Sequence, residues 1–374
     1  MSYSDTYRGK RVLITGHTGF KGAWLAEWLI QLGAEVTGFA LPPPTEPSLY
    51  NQLGLGSRLH HVAGDIRDLA AVRAVVAAAR PDFIFHLAAQ PLVRLSYEQP
   101  VETYATNIMG TVNVLEAVRL AARPCSVVIV TTDKCYENRE WVHGYREEDA
   151  MGGYDPYSSS KGAAELVVSA YRRSYFSGPD AVIRVASARA GNVIGGGDWA
   201  LDRIVPDCIR ALVAGNAIPV RNKVATRPWQ HVLEPLSGYL WLGACLASPK
   251  LSPFHAKLAS AFNFGPALAS NRTVAELVQE ILKHWPGEWV DKSDPSAVHE
   301  AKLLNLATDK AHHFLGWAPA WPFAETVART VGWYREAGVS VTSVGIHSVT
   351  LGQIAAYTAA ARAAGIAWAS QGKS

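Results

Sequence analysis

Two short runs carry residues whose types and spacing could move protons. One is Val130-Thr131-Thr132-Asp133-Lys134-Cys135-Tyr136, the other Tyr157-Ser158-Ser159-Ser160-Lys161. Val127 to Val130 read as a buried strand, apolar, β-branched and too short for a helix. It ends in a hydroxyl, a carboxylic acid and an amine: Thr132, Asp133 and Lys134. In an open α/β sheet, ligands bind beyond the carboxyl ends of the strands, so reactive groups collect there. Tyr157 and Lys161 are spaced to share one helix face, one turn apart. A phenol ordinarily titrates near about 10, and a neighbouring ammonium favours the phenolate. Such a couple can take a proton from a hydroxyl and return it. Asp133 and Lys134 by themselves would read as a surface ion pair, which contributes little. Thr132 before them and the Tyr/Lys couple downstream tip the reading to catalysis.

The elements that must hold these groups alternate strand and helix. A strand at Arg11 to Thr15 runs into Gly16-His17-Thr18-Gly19-Phe20-Lys21-Gly22. An amphipathic helix follows, with Phe20, Trp24, Leu25, Trp28, Leu29 and Leu32 on its apolar side, and Gly33 ends it. Further strands are predicted at Glu35 to Phe39, Leu59 to Asp65, Phe83 to Leu87 and Ala181 to Val185. Asp68 should cap a helix reaching Ala79, and another should run from about Val101 to Ala121. This alternation calls for an α/β fold with a doubly wound, parallel, Rossmann-type sheet. Beyond it, Ala190 to Trp199 reads as a glycine-rich loop too flexible to pack. Later segments are shorter and richer in Trp and Pro. We therefore expect a dinucleotide-binding domain at 1–186, with Val232 to Leu246 as a helix opening a return segment at about 232–262. A smaller, mixed substrate domain should comprise 187–231 and 263–337, followed by a tail at 338–374 that is helical from Gln353 to Ala363.

With 374 residues, 49% hydrophobic and 18% charged, the chain can bury a substantial core. A net charge of +3 without a basic run argues against a nucleic-acid partner. No apolar run is long enough for a membrane span, and the polar start carries no secretory segment, so a cytoplasmic location is expected. The four cysteines lack metal-ligand spacing; reduced thiols are expected rather than a disulfide or zinc framework, and no metal site is predicted.

Gly16, Gly19 and Gly22 sit at a strand-to-helix turn. Glycine there lets the backbone approach a pyrophosphate, and the helix N-terminus attracts the anion. Dinucleotide binding is the reading. An acid for the adenosine ribose is expected near the end of the second strand, but Phe39-Ala40-Leu41 has none. Lys21 could favour a 2′-phosphate, and Asp65 could meet the adenine amine, so NAD and NADP both remain open on the residues alone.

With T-G-x-x-G-F-x-G, H-L-A-A and Y-x-x-x-K in order, the chain resembles the extended short-chain dehydrogenase/reductase family as far as about Trp333. Within it, Gly16 to Leu25, Thr131 to Asn138, Ala190 to Trp199 and Arg227 to Val232 look like the matching blocks of the CDP-glucose 4,6-dehydratases. The resemblance implies NAD as cofactor and CDP-D-glucose as substrate. The C4 hydroxyl is oxidised, water leaves from C5 and C6, and hydride returns to C6. It implies Tyr157 as the base at C4, Lys161 on the nicotinamide ribose and lowering the phenol's pKa, Thr132 near the C4 oxygen, and Asp133 as the acid at C6. Lys134 stands where dTDP-glucose dehydratases carry a glutamate base for C5, so its role as that base is a hypothesis. Ile66 and Leu87-Ala88-Ala89 join the glycine loop as implied cofactor contacts. Asn192 and Arg227 resemble pyrophosphate ligands, and Trp199 and Arg203 substrate neighbours. His299 and Glu300 look like part of a nucleotide-side segment. Arg94 and Ser96 could face the sugar, or form a plain surface loop. A homodimer, or a dimer of dimers, paired through the helices at 101–121 and 157–176, is also implied. Two alternatives stand beside the dehydratase. A nucleotide-sugar 4-epimerase would need no acid at C6, and a non-catalytic dinucleotide-binding regulator would be expected to lose Tyr157 or Lys161.

Overall fold

The computed structural model describes residues 3–178, 181–293, 303–339 and 343–370. The chain first lays down β1 (Arg11–Thr15), β2 (Glu35–Ala40), β3 (His60–Ala63), β4 (Phe83–His86), β5 (Cys125–Val130) and β6 (Ile183–Ala190). Four short strands follow: β7 (Val193–Ile194), β8 (Ile218–Val220), β9 (Thr226–Pro228) and β10 (Gln230–His231). Then come β11 (Ala261–Phe264), β12 (Asn271–Thr273) and β13 (Trp289–Asp291). Among the described residues, seven of these form one sheet in the order β11-β6-β5-β4-β1-β2-β3. Every pairing in it is parallel. All residues of β5 are buried, as a strand covered on both faces requires. One apolar core lies against the helices Phe20–Gln31 and Leu233–Ala247, the other against Leu69–Ala79, Gly110–Ala121 and Pro156–Tyr175.

Local signals are realised closely. Asp68 caps its helix, its carboxylate accepting from the N–H groups of Ala70 and Ala71. Asp155 accepts from the N–H of Ser158 and starts the helix that carries Tyr157 and Lys161. Three expectations need correction. The sixth strand does not stop at Val185 but continues to Ala190. Ser187, Ala188 and Arg189 have little strand preference of their own, yet β11 pairs with all three and β5 with the first two. The glycine run is not a loose loop. Val193–Ile194 pairs with Gln230–His231, and a Cβ on Gly196 would come within 2.0 Å of the Trp333 ring. The predicted helix from Val101 to Ala121 contains a π-helical turn at Ala105–Met109, between Pro100–Tyr104 and Gly110–Ala121.

The chain leaves the sheet after β6 and returns through the helix Leu233–Ala247 to β11. It then leaves again through β12, which pairs antiparallel with β9. The C-terminal helix Ser343–Ala363 starts earlier than the sequence suggests and packs on the rest of the fold. Tyr357 donates to Glu234 at 2.7 Å, and Trp333 donates to Thr350 at 3.0 Å. No helix among the described residues is long and apolar enough to cross a membrane.

Candidate active site

The glycine turn is built for close backbone approach. Gly16 has φ +78, and a Cβ there would lie 2.7 Å from the Ala88 nitrogen; one on Gly22 would lie 2.1 Å from the Gly16 oxygen. The segment Leu87-Ala88-Ala89 thus passes directly over the turn, with Ala88 N–H donating to Thr15. Gly19 begins the following helix without a side-chain cap, which leaves backbone N–H groups for an anion. These cradles fit a dinucleotide pyrophosphate. The side chains around the turn behave less uniformly. Thr18 donates to the Leu41 carbonyl at 2.9 Å. His17 turns away onto Gly38 and hydrogen-bonds His61 at 2.8 Å. Burial, then His61, lowers its pKa to about 4, so it is a neutral packing residue. Ile66 is buried against Gly110. Asp65 is bound by Arg67 at 2.6 Å, and that bond holds its carboxyl below the usual range.

Lys21 corrects an expectation. Its pKa is lowered to about 8, first by burial and then by Arg203, with Asp133 opposing and Lys161 adding to the fall. Its neighbours belong to the strand-end cluster and not to β2, so it does not serve as the 2′-phosphate ligand considered above.

The strand-end groups do come together. Thr132 donates to the Asp133 carboxylate at 2.9 Å, and both are buried. Asp133 rests on Gly191, whose added Cβ would lie 2.7 Å from its Oδ2 and 3.4 Å from Pro228. The Asn192 and Arg227 segments therefore meet beside the acid. Asn192 is half-buried, its side chain bonded to no described residue; Arg227 donates to the Thr226 carbonyl at 2.9 Å. Burial pushes the Tyr157 phenol well up, Thr132 acts against the rise, Asp133 adds to it and Arg203 opposes it. The restraint expected from Lys161 thus comes here from Thr132 and Arg203. Lys161 itself is lowered to about 8 by burial, with Glu165 opposing. Lys134 is half-buried and does not pair with Asp133. Arg203 is held by Asp198 at 2.8 Å.

Other expected contacts have partners within the fold. Ser96 is fully buried, donates to the Val93 carbonyl and accepts from the Tyr157 N–H at 3.1 Å. It thereby positions the start of the tyrosine helix. Trp199 donates to Gln52 at 2.9 Å and packs edge-on against Tyr334. Arg94 lies in an exposed pair with Asp202 at 3.7 Å. His299 and Glu300 lie outside the described residues.

Three supporting residues escaped the sequence reading. Asn107, in the π turn, accepts from Gln90 N–H at 2.9 Å and donates to Ser160 at 2.8 Å, tying the end of β4 to the tyrosine helix. Glu165, one turn after Lys161, accepts from Thr131, Ser187 and Arg189 at 2.5, 2.8 and 2.8 Å. Arg189 in turn donates to the Tyr136 hydroxyl and the Glu147 carbonyl. Burial pushes Glu165 up, but Arg189, Thr131 and Ser187 more than offset it and keep it ionised. Only the i, i+4 spacing of Lys161 and Glu165 was visible beforehand.

A family model described as GDP-mannose 4,6 dehydratase matches residues 13–330. The chain belongs to that family. It is 48% identical over 334 residues to the CDP-glucose 4,6-dehydratase of Salmonella typhimurium, a match covering 88% of this chain and 91% of the relative. It is 29% identical over 339 residues to the dTDP-glucose 4,6-dehydratase of Streptomyces antibioticus, covering 87% of this chain and 92% of that one. Among solved structures, DesIV, the dTDP-glucose 4,6-dehydratase of Streptomyces venezuelae with NAD and TYD bound, superposes with a TM-score of 0.74 at 25% identity. That superposition covers 88% of this chain and 98% of DesIV. The epimerase Mth375 of Methanothermobacter thermautotrophicus reaches the same TM-score of 0.74 at 23% identity, covering 90% of this chain and 95% of its own, and so shares the fold.

Proposed function

We propose that this chain is a CDP-glucose 4,6-dehydratase that binds NAD+ and converts CDP-D-glucose to CDP-4-dehydro-6-deoxy-D-glucose and water. The observation that carries the reading is the buried acid Asp133, hydrogen-bonded by Thr132 and within the field of Tyr157. A 4-epimerase has no use for an acid there. The substrate's base rests on the likeness to the Salmonella enzyme.

Bound NAD+ supplies the hydride acceptor for C4 and, once reduced, the donor for C6. Tyr157 takes the C4 hydroxyl proton while Thr132 hydrogen-bonds the same oxygen. The resulting ketone acidifies C5, whose proton Lys134 removes and gives back to C5 once C6 has been reduced. Asp133 protonates the C6 hydroxyl, which leaves as water. Lys161, as an ammonium, holds the nicotinamide ribose. The cradle at Gly16 and Gly22 takes the cofactor pyrophosphate; Asn192 and the forked guanidinium of Arg227 take that of the sugar nucleotide. Exposed Val101, Met109 and Leu166 on the helices about 101–121 and Pro156–Tyr175 support pairing of two copies.

Incubation with CDP-, dTDP-, UDP- and GDP-glucose, followed by the absorbance of the 4-ketosugar in alkali, tests both reaction and base. A ketosugar from CDP-glucose in preference to the others is expected. Epimerised sugar with no ketosugar, or no turnover of any substrate, overturns the proposal.

A further inference from the structure

Five buried tyrosines among the described residues donate from their hydroxyls. Tyr7 donates to the Leu240 carbonyl, Tyr136 to Asn263, Tyr145 to Asn138, Tyr334 to the Asp198 carbonyl and Tyr357 to Glu234. Tyr239 does not. It lies in the helix Leu233–Ala247, is 0% exposed, and its hydroxyl has no hydrogen-bond partner among the described residues. A buried hydroxyl without a partner is costly, and phenylalanine would fill the same space without that cost. Such a group points to a partner that the free protein's own atoms do not supply.

Its surroundings indicate what that is. The ring meets Phe264 edge-on at 5.8 Å, and the Lys21 ammonium lies 6.0 Å over its face. After burial itself, the groups that raise its pKa are Tyr157 and Asp133, so the phenol stays a neutral donor. Tyr239 therefore stands between the glycine turn, where a pyrophosphate is cradled, and the tyrosine that faces the sugar. The portion of a dinucleotide that spans those two places is its nicotinamide half.

We propose that Tyr239 is a cofactor-binding residue whose hydroxyl, idle in the free protein, donates a hydrogen bond to an oxygen of the nicotinamide half of bound NAD+. The inference rests on the dinucleotide reading above. No sequence motif announces it, because position 239 lies in an apolar helix far along the chain from the glycine turn.

The test is Tyr239→Phe, compared with the unchanged protein after removal of any bound dinucleotide. Thermal melting is measured on both, with calorimetric titration of NAD+ and, separately, of ADP, which lacks the nicotinamide half. The variant should melt at the same or a higher temperature, bind ADP unchanged, and bind NAD+ roughly three- to tenfold more weakly, the loss of one net hydrogen bond. Equal NAD+ affinity, equal weakening of NAD+ and ADP, or a lower melting temperature of the stripped variant would each overturn the assignment. If the unchanged protein binds no NAD+ at all, it is the dinucleotide reading that fails.

Discussion

Replacing Glu165 by Gln removes one charge from the buried face of the helix that carries Tyr157 and Lys161 while keeping its volume. The carboxylate is 4% exposed and its partner Arg189 5%, with 2.8 Å between them. An amide keeps one oxygen for Thr131 or Ser187 but leaves the guanidinium buried and uncompensated. Breaking such a pair costs about 3–5 kcal/mol, a large part of a typical total of about 5–15 kcal/mol. A second effect reaches the chemistry. Lys161 titrates at about 8 because burial lowers it while Glu165 opposes. Without that carboxylate its pKa falls further. The ammonium exists below the pKa, so a lower pKa withdraws it at lower pH, and the alkaline limb of ketosugar formation moves toward neutrality. Urea unfolding followed by circular dichroism reads the first effect, and a pH profile of turnover the second. The double change Glu165→Gln with Arg189→Gln should recover much of the stability, since no charge is left unbalanced, but not the alkaline limb. A single variant within about 1 kcal/mol of the parent, or an unmoved alkaline limb, refutes the reasoning.

Glu234, buried beneath the C-terminal helix, is pushed by burial from 4.5 to about 7. Because the folded value is the higher, the stability it contributes is complete below the unfolded pKa and lost as pH rises through about 7, a loss of about 3 kcal/mol by pH 8. Glu234→Gln should remove that loss, so its melting advantage should grow from pH 5 to pH 8; a constant difference contradicts the assignment. Lys134→Met should abolish solvent exchange at C5 while sparing C4 oxidation, and unchanged exchange excludes Lys134 as the base. Gly16→Ala should both destabilise the fold and weaken NAD+ binding, since φ is +78 and the new methyl meets Ala88; normal NAD+ titration in this variant would show that the turn is not the pyrophosphate cradle.

What the sequence made legible was local. Gly16, Gly19 and Gly22 before an amphipathic helix, Asp68 at a helix start and the Tyr157–Lys161 spacing each carry their meaning within a few residues. The parallel sheet followed from the alternation of such signals. Long-range satisfaction was not legible. Ser187 to Ala190 lack β-branched residues and become a strand through their neighbours. Glu165 and Arg189 lie far enough apart in the chain that only folding joins them. Ser96 resembled a sugar ligand until the Tyr157 N–H claimed its oxygen. Lys21 followed the glycine turn in sequence yet came to face the reacting end.

The route of the chain into and out of the sheet has a practical outcome for anyone recombining relatives. The polypeptide crosses after β6, comes back at the helix Leu233–Ala247, and departs once more beyond β11. The segments outside the sheet therefore cannot be exchanged as a single cassette. A chimera needs a junction at each passage, and the first insert must be carried whole from the end of β6 to the helix, because β7 at its start pairs with β10 at its far end.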